Sequence, residues 1–225
     1  MIDWANIDTA LLDMDGTLLD LAYDNWFWQR FVPEEYARAN HIARDKALAL
    51  IGDWIHRHHG TLNWYCLDFW SDELKLDIAA LKRQTGERIR IRPGAEEWLQ
   101  ALRDSGRRVV MVTNAHPQAL AVKVERTGID RYFDTLVSSH EYGAAKESPA
   151  FWQALQQHHP FNPGTSLLVD DSLPVLEAGE HYGIGHVVSI LRPDSSLPAR
   201  AHTGHFPAID RYQDVMPPAP VRHSG

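Results

Sequence analysis

At 225 residues, with 44% hydrophobic side chains, the chain is long enough for one large domain or for a core carrying a small insertion. A formal net charge of -8, with no long run of Lys or Arg, argues against non-specific nucleic-acid or membrane-surface binding as the main activity, so an anionic substrate needs local cations. The single Cys66 rules out an internal disulfide; no secretory leader or bilayer-length apolar run is legible, and a reducing cytoplasm is the simplest home.

The first element in chain order is the apolar run Thr9-Ala10-Leu11-Leu12, closed by Asp13-Met14-Asp15-Gly16-Thr17. It reads as a buried parallel strand that delivers two carboxylates to the rim of an open sheet, where α/β folds bind ligands. The repeat of two in a strand puts Asp13 and Asp15 on one side, although the turn at Gly16 is able to rotate the second away. Two carboxylates this close repel unless a cation lies between them, and oxygen ligands suit a hard ion such as Mg2+.

From Thr17 to about Ile91 the pattern is helical, with apolar residues at helical spacing over Ala43 to His56 and Trp64 to Leu76. An all-helical insert over residues 21–91 is expected. It is rich in rings, among them Trp26, Phe27, Trp28, Trp54, Trp64, Tyr65 and Trp70, most of which should pack against each other. His56, His58 and His59 beside Arg57 have no partner at ligand spacing and read as the decoration of a helix end.

Strands return at Val109–Val112, Thr135–Ser138, Leu167–Val169 and His186–Ser189, alternating with helical patterns at Ala95–Arg103, Pro117–Arg126, Pro149–Gln157 and Pro174–Tyr182. Alternation of this kind means an α/β fold with a doubly wound, Rossmann-type parallel sheet. Residues 1–20 and 92–215 are assigned to that core. The tail 216–225, with Pro217, Pro218 and Pro220, is expected to be disordered.

Thr113, at the carboxyl end of the second strand and directly before a helix, is placed to bind a phosphate oxygen through its hydroxyl, with the following N–H groups doing the same. Asn114 either supports that site or caps the helix opened by Pro117. His116 either touches substrate or is solvated, and Lys123 reads as a surface charge. The run Leu167-Leu168-Val169-Asp170-Asp171-Ser172 repeats the design of the first strand, an apolar run ending in paired acids.

In order and spacing these segments resemble the motifs of the haloacid dehalogenase-like phosphohydrolases, from Asp13 to about Asp194. The resemblance implies that Asp13 is a nucleophile forming an aspartyl-phosphate, that Asp15 is the general acid and base, and that Mg2+ shields the charge. That chemistry is reasonable from below, because an ionised carboxylate needs no activating base and phosphoryl transfer asks mainly for positioning and charge neutralisation. It further implies that Lys146, in Gly143-Ala144-Ala145-Lys146-Glu147-Ser148-Pro149, neutralises the phosphate; the usual pattern has Pro directly after the Lys, where this chain has Glu147. Asp171 matches the direct Mg2+ ligand, Asp170 a direct or an indirect one, and the helical insert the family's cap, which excludes water from the site.

Within the family, Thr61-Leu62-Asn63-Trp64-Tyr65-Cys66-Leu67-Asp68 and Thr113-Asn114-Ala115-His116-Pro117 look like the bacterial GMP/IMP nucleotidases. A purine 5'-monophosphate substrate is what that resemblance implies, with Trp64 as a stacking surface and Asn25 or Asn63 reading the base edge. Asp15 argues against a dehalogenase, whose halide leaving group needs no proton. A phosphosugar mutase or a general small-phosphometabolite phosphatase keeps the same motifs and is the alternative enzyme. A catalytically silent binding protein on the same fold is the alternative of another class.

Overall fold

The computed structural model describes residues 2–219. Of the tail expected to be disordered, 220–225 lie outside the described residues, and 216–219 carry neither helix nor strand. Six parallel strands form one sheet: β1 (Thr9–Leu12), β2 (Arg108–Thr113), β3 (Thr135–Ser138), β4 (Ser166–Asp170), β5 (His186–Ile190) and β6 (Ala208–Ile209). Their order is β3-β2-β1-β4-β5-β6, with Leu12 in register with Met111 on one side and Val169 on the other. The chain winds outward from β1 through β2 to β3, then returns to lay β4 against the free side of β1. The carboxyl ends of β1 and β4 therefore flank the point where the winding reverses, the crevice in which open α/β sheets hold ligands.

Alternation along the strands divides the core in two. Ala10, Leu12, Val109, Met111, Leu167 and Val169 face a cluster that runs into the insert. Leu11, Val110, Val112, Val137 and Leu168 face Phe151, Trp152 and Leu176 on the opposite side. A sheet covered on both faces explains why these strands read as continuous apolar runs.

Between β1 and β2 every helix of the described residues belongs to the insert until α7. In order these are α1 (Ala22–Trp26), a five-residue π-helical turn (Phe27–Phe31), α2 (Val32–Ala39), α3 (Arg44–His58), α4 (Leu62–Tyr65), α5 (Leu67–Leu74) and α6 (Ile78–Thr85). The π turn continues α1 into α2 and widens the helix where Trp28 and Gln29 line the ligand crevice. Two short ribs tie the insert to the sheet, with Asp20 N–H donating to Arg90 C=O and Arg92 N–H to Leu18 C=O, both at 2.9 Å.

After β2 come α8 (Pro117–Thr127), α9 (Pro149–His158) and α10 (Leu173–Tyr182), with α7 (Ala95–Asp104) before it. Pro117 and Pro149 open their helices, where a missing N–H costs nothing. The helix expected over Trp64 to Leu76 is instead two helices, broken at Cys66, whose extended backbone starts α5 and whose Sγ accepts from Phe69 N–H. His58 and His59 end α3 against Phe69 and Trp64, ring to ring at 4.7 and 4.2 Å, as a decorated helix end should. Among the described residues no helix is long and apolar enough to cross a membrane.

Candidate active site

Asp13 follows β1 directly and is buried; beside it Asp170 ends β4 and Asp171 follows. One carboxylate oxygen from each lies within 4.8 Å of the other two. Burial together with the neighbouring Asp170 pushes the Asp13 carboxyl up to about 7, and burial together with Asp13 pushes Asp171 up to about 7. Asp170 is raised to about 6, chiefly by burial. Each carboxylate makes the others harder to ionise, which is the signature of a group that wants a cation.

Lys146 supplies part of that charge from the opposite side. Its buried Nζ donates to Asp13 Oδ1 and Asp170 Oδ2 at 2.6 Å each and to Val112 C=O at 3.0 Å, so all three ammonium protons are used. The acids hold the Lys146 ammonium above its usual range although burial alone would lower it. Asp171 is paired instead with Arg200, at 3.0 Å from Nη2, and its backbone carbonyl accepts from the same guanidinium. Three carboxylates thus face two cationic side chains, and a hard divalent ion fits the remaining oxygen donors. Gly16 keeps the space open. A Cβ there would lie 2.7–2.9 Å from the Asp171 carboxylate, and its φ of +80° is one that glycine adopts without strain.

Asp15 is not in this cluster. The turn at Gly16 swings its carboxylate to Lys123, whose Nζ lies 2.6 Å from Asp15 Oδ1. Lys123 also donates to Asp24 Oδ2 at 2.8 Å, and Asp24 Oδ1 accepts from Lys82 at 2.7 Å. Asp15 and Lys123 belong to the sheet domain, Asp24 and Lys82 to the insert, so a chain of alternating charge, its lysines buried and its carboxylates partly so, runs from one to the other. Burial raises the Asp15 carboxyl, against the pull of Lys123. Burial acts on Asp24 in the same direction, but Lys123 and Lys82 together hold it well below the usual carboxylate range. Lys123 is therefore no surface charge, as its place in a helix had suggested; it is buried.

Thr113 is buried at the end of β2, with its hydroxyl accepting from Ala115 N–H at 3.0 Å. Asn114 does not cap α8; its Oδ1 accepts from Lys146 N–H and its Nδ2 donates to Glu147, both at 2.9 Å. The cap of α8 is His116, whose Nδ1 accepts from Gln118 N–H at 3.4 Å. Glu147, standing where the resemblance leads one to expect Pro, also accepts from Tyr65 OH of the insert at 2.6 Å.

These groups open onto a crevice of about 930 Å³ between sheet and insert, with Thr113, Asn114, His116 and Lys146 in its wall. Trp28, Trp64 and Tyr65 form its apolar side. Asn63 does not line it and is exposed, and Asn25 donates to Asp194 at 2.6 Å, so neither asparagine stands free at the wall. Lys82, Asp24 and Arg200 carry no mark of the site in the sequence. Their partners lie far along the chain (Lys82–Asp24 58 residues, Asp171–Arg200 29), and no local pattern marks such pairs.

A parallel sheet with acids at the reversal point, a buried Lys between them and a helical insert above defines a hydrolase of the haloacid dehalogenase class. The chain belongs to that family: residues 7–183 match the haloacid dehalogenase-like hydrolases. It is 40% identical over 216 residues to the GMP/IMP nucleotidase YrfG of Escherichia coli (strain K12), covering 96% of this chain and 97% of that protein. It is also 26% identical over 210 residues to a phosphoglycolate phosphatase of Nitrosococcus oceani, covering 84% and 92%. The crystal structure of a HAD phosphatase from Thermococcus onnurineus superimposes with a TM-score of 0.77 at 22% identity, over 93% of this chain and 96% of that one, a likeness of fold.

Proposed function

We propose that this haloacid dehalogenase-like phosphatase is a Mg2+-dependent 5'-nucleotidase that hydrolyses purine monophosphates, GMP and IMP, in the cytoplasm, with residues 21–91 as its cap. The observation that supports the reading most is the separation of the two acids of the first motif. Asp13 faces Lys146 and the acid cluster, as a nucleophile should; Asp15 is turned to Lys123, where burial favours its protonated form. In the reaction an Asp13 oxygen attacks phosphorus as the bond to the ribose oxygen breaks, and Asp15 gives that oxygen its proton. Asp15 then takes a proton from water, whose oxygen attacks the aspartyl-phosphate, releasing phosphate and restoring Asp13. Thr113 and Lys146 hold the phosphoryl oxygens, and Asn114 fixes the backbone of Lys146.

Asp13, Asp170 and Asp171 would hold the Mg2+, whereas the Asp15 carboxylate is committed to Lys123. When bound, the ion neutralises charge on the phosphoryl group. The nucleotide preference rests on the E. coli relative and on the crevice, where Trp28 and Trp64 offer faces to a planar base. Stacking of this kind is worth about 1–3 kcal/mol per base. The test is kcat/KM over a panel of monophosphates: GMP and IMP should exceed AMP, CMP, UMP, phosphoglycolate and sugar phosphates. A sugar phosphate that beats GMP, or that is isomerised, replaces this reading with the general phosphatase or the mutase.

A further inference from the structure

We infer that Cys66, His116 and His140 form a second cation site, one for a soft divalent ion of the zinc type that bridges the helical insert and the sheet domain. The Cys66 sulfur and one ring nitrogen from each histidine lie within 4.8 Å of one another. Cys66 comes from the insert, at the break between α4 and α5; His116 opens α8, and His140 sits in the 3-10 turn Ser139–Tyr142 after β3. The two imidazoles stand edge to face, 5.0 Å between centroids.

The donor chemistry differs in kind from the oxygen cluster at Asp13. One sulfur and two imidazole nitrogens suit zinc and its neighbours and are poor ligands for Mg2+. Two further observations point to a ligand. His140 Nε2 is buried with no hydrogen-bond partner, although buried polar atoms nearly always have one. Nε2 therefore has no protein group competing for it. Beside the two rings Asp68 Oδ2 lies 3.5 Å from His116 Nε2 on a side chain that is 69% exposed, so a turn of that side chain would bring a fourth donor to the three.

Binding expels the Cys66 thiol proton to solvent. Ligation through His116 Nε2 places that ring's proton on Nδ1 and gives up its long contact with Gln118 N–H, a small cost. The ion would fasten Cys66 of the insert to the sheet and withdraw His116 from the crevice wall, so zinc should slow turnover by a route separate from displacement of Mg2+. This inference is independent of which monophosphate is the substrate.

The experiment uses the full chain, stripped with chelator and then held in excess Mg2+ so that the oxygen cluster is filled. Co2+ is added and the near-ultraviolet spectrum followed. Cys66 is the only thiol in the chain, so a thiolate-to-cobalt charge-transfer band reports this site alone. The band should appear with one Co2+ per chain, be bleached by Zn2+, vanish in Cys66→Ser and require at least tenfold more Co2+ in His140→Ala. Zn2+ at saturating Mg2+ should inhibit the wild type more strongly than Cys66→Ser. Absence of the band in the wild type overturns the site, whatever the variants do. Equal zinc inhibition of wild type and Cys66→Ser overturns the bridging role.

Discussion

Asp24, in the first helix of the insert, and Lys123, in α8 of the sheet domain, form an ion pair of 2.8 Å in which the ammonium is buried and the carboxylate partly so. Because Lys123 also meets Asp15, the position of the insert and the position of the proposed acid–base are set by one ammonium group. Removing it leaves Asp15 without a cation and Asp24 with only Lys82. Lys123→Met should therefore destabilise the protein by about 3–5 kcal/mol, the usual cost of leaving a buried charge unpaired, measured by urea unfolding. It should also lower kcat at least about tenfold under conditions where the variant is folded, since Asp15 loses its orientation. Full activity in a folded Lys123→Met would show that Asp15 needs no such partner.

The residues of this site divide sharply by whether they could be read from the chain. Asp13, Thr113, Asp170 and Asp171 stand at or after strand ends, where an apolar run stops at a polar residue, and that pattern is local; Lys146, in the loop between the 3-10 turn after β3 and α9, is reached only through the resemblance. Lys123 is not legible in this way. A lysine in an amphipathic helix reads as solvated, and only the folded chain brings Asp24, 99 residues away, to its Nζ. Arg200 lies in an irregular segment with no periodicity to mark it. The two-residue β6 is too short to show a strand repeat, and the break at Cys66 depends on a sulfur acting as a helix cap. Glu147 was visible as a departure from the family pattern, but its bonds to Tyr65 and Asn114 were not.

The three raised carboxyls fix the sign of a pH effect. In the folded, metal-free protein Asp13 and Asp171 keep their protons to about 7 and Asp170 to about 6, whereas their ordinary value is 3.8. The folded state thus binds more protons over that window, and these groups withdraw stability as pH rises through it. Mg2+ has to displace the same protons, so its binding tightens from pH 5 to 7 and levels off above. The rise in Tm caused by saturating Mg2+ should be larger at pH 8 than at pH 5, read by thermal melts with and without the ion. An equal or larger rise at pH 5 would place Mg2+ elsewhere.

Asp170 and Asp171 differ in what else they hold. Asp170 is tied to Lys146 and accepts from Ser172 N–H at 2.9 Å, so its oxygens already have partners. Asp171 faces the space kept open by Gly16 and is balanced by Arg200. Asp171→Ala should therefore cost more Mg2+ affinity than Asp170→Ala, at least about tenfold in titrations followed by activity. The opposite order would exchange the two roles.

The last prediction separates the two acids of the first motif by chemistry. In Asp13→Asn the amide oxygen still accepts from Lys146, so the fold should melt normally while turnover falls by at least about 10²-fold, because an amide is not a carboxylate nucleophile. Asp15→Asn leaves Asp13 intact and leaves Lys123 its bond to Asp24, so the variant should still fold and still be phosphorylated. What it lacks is the acid that protonates the ribose oxygen and the base that activates water, so phosphorylation slows as well and the release of phosphate slows with it. Phosphate should then remain on Asp13 long enough to be seen by mass spectrometry after an acid quench, and hydroxylamine should remove it, as it removes acyl phosphates. The Asp13→Asn chain, quenched in the same way, should carry none. A phosphoryl group on both variants would move the nucleophile away from Asp13, and none on Asp15→Asn, with substrate still bound, would assign the slow step to attack instead of release.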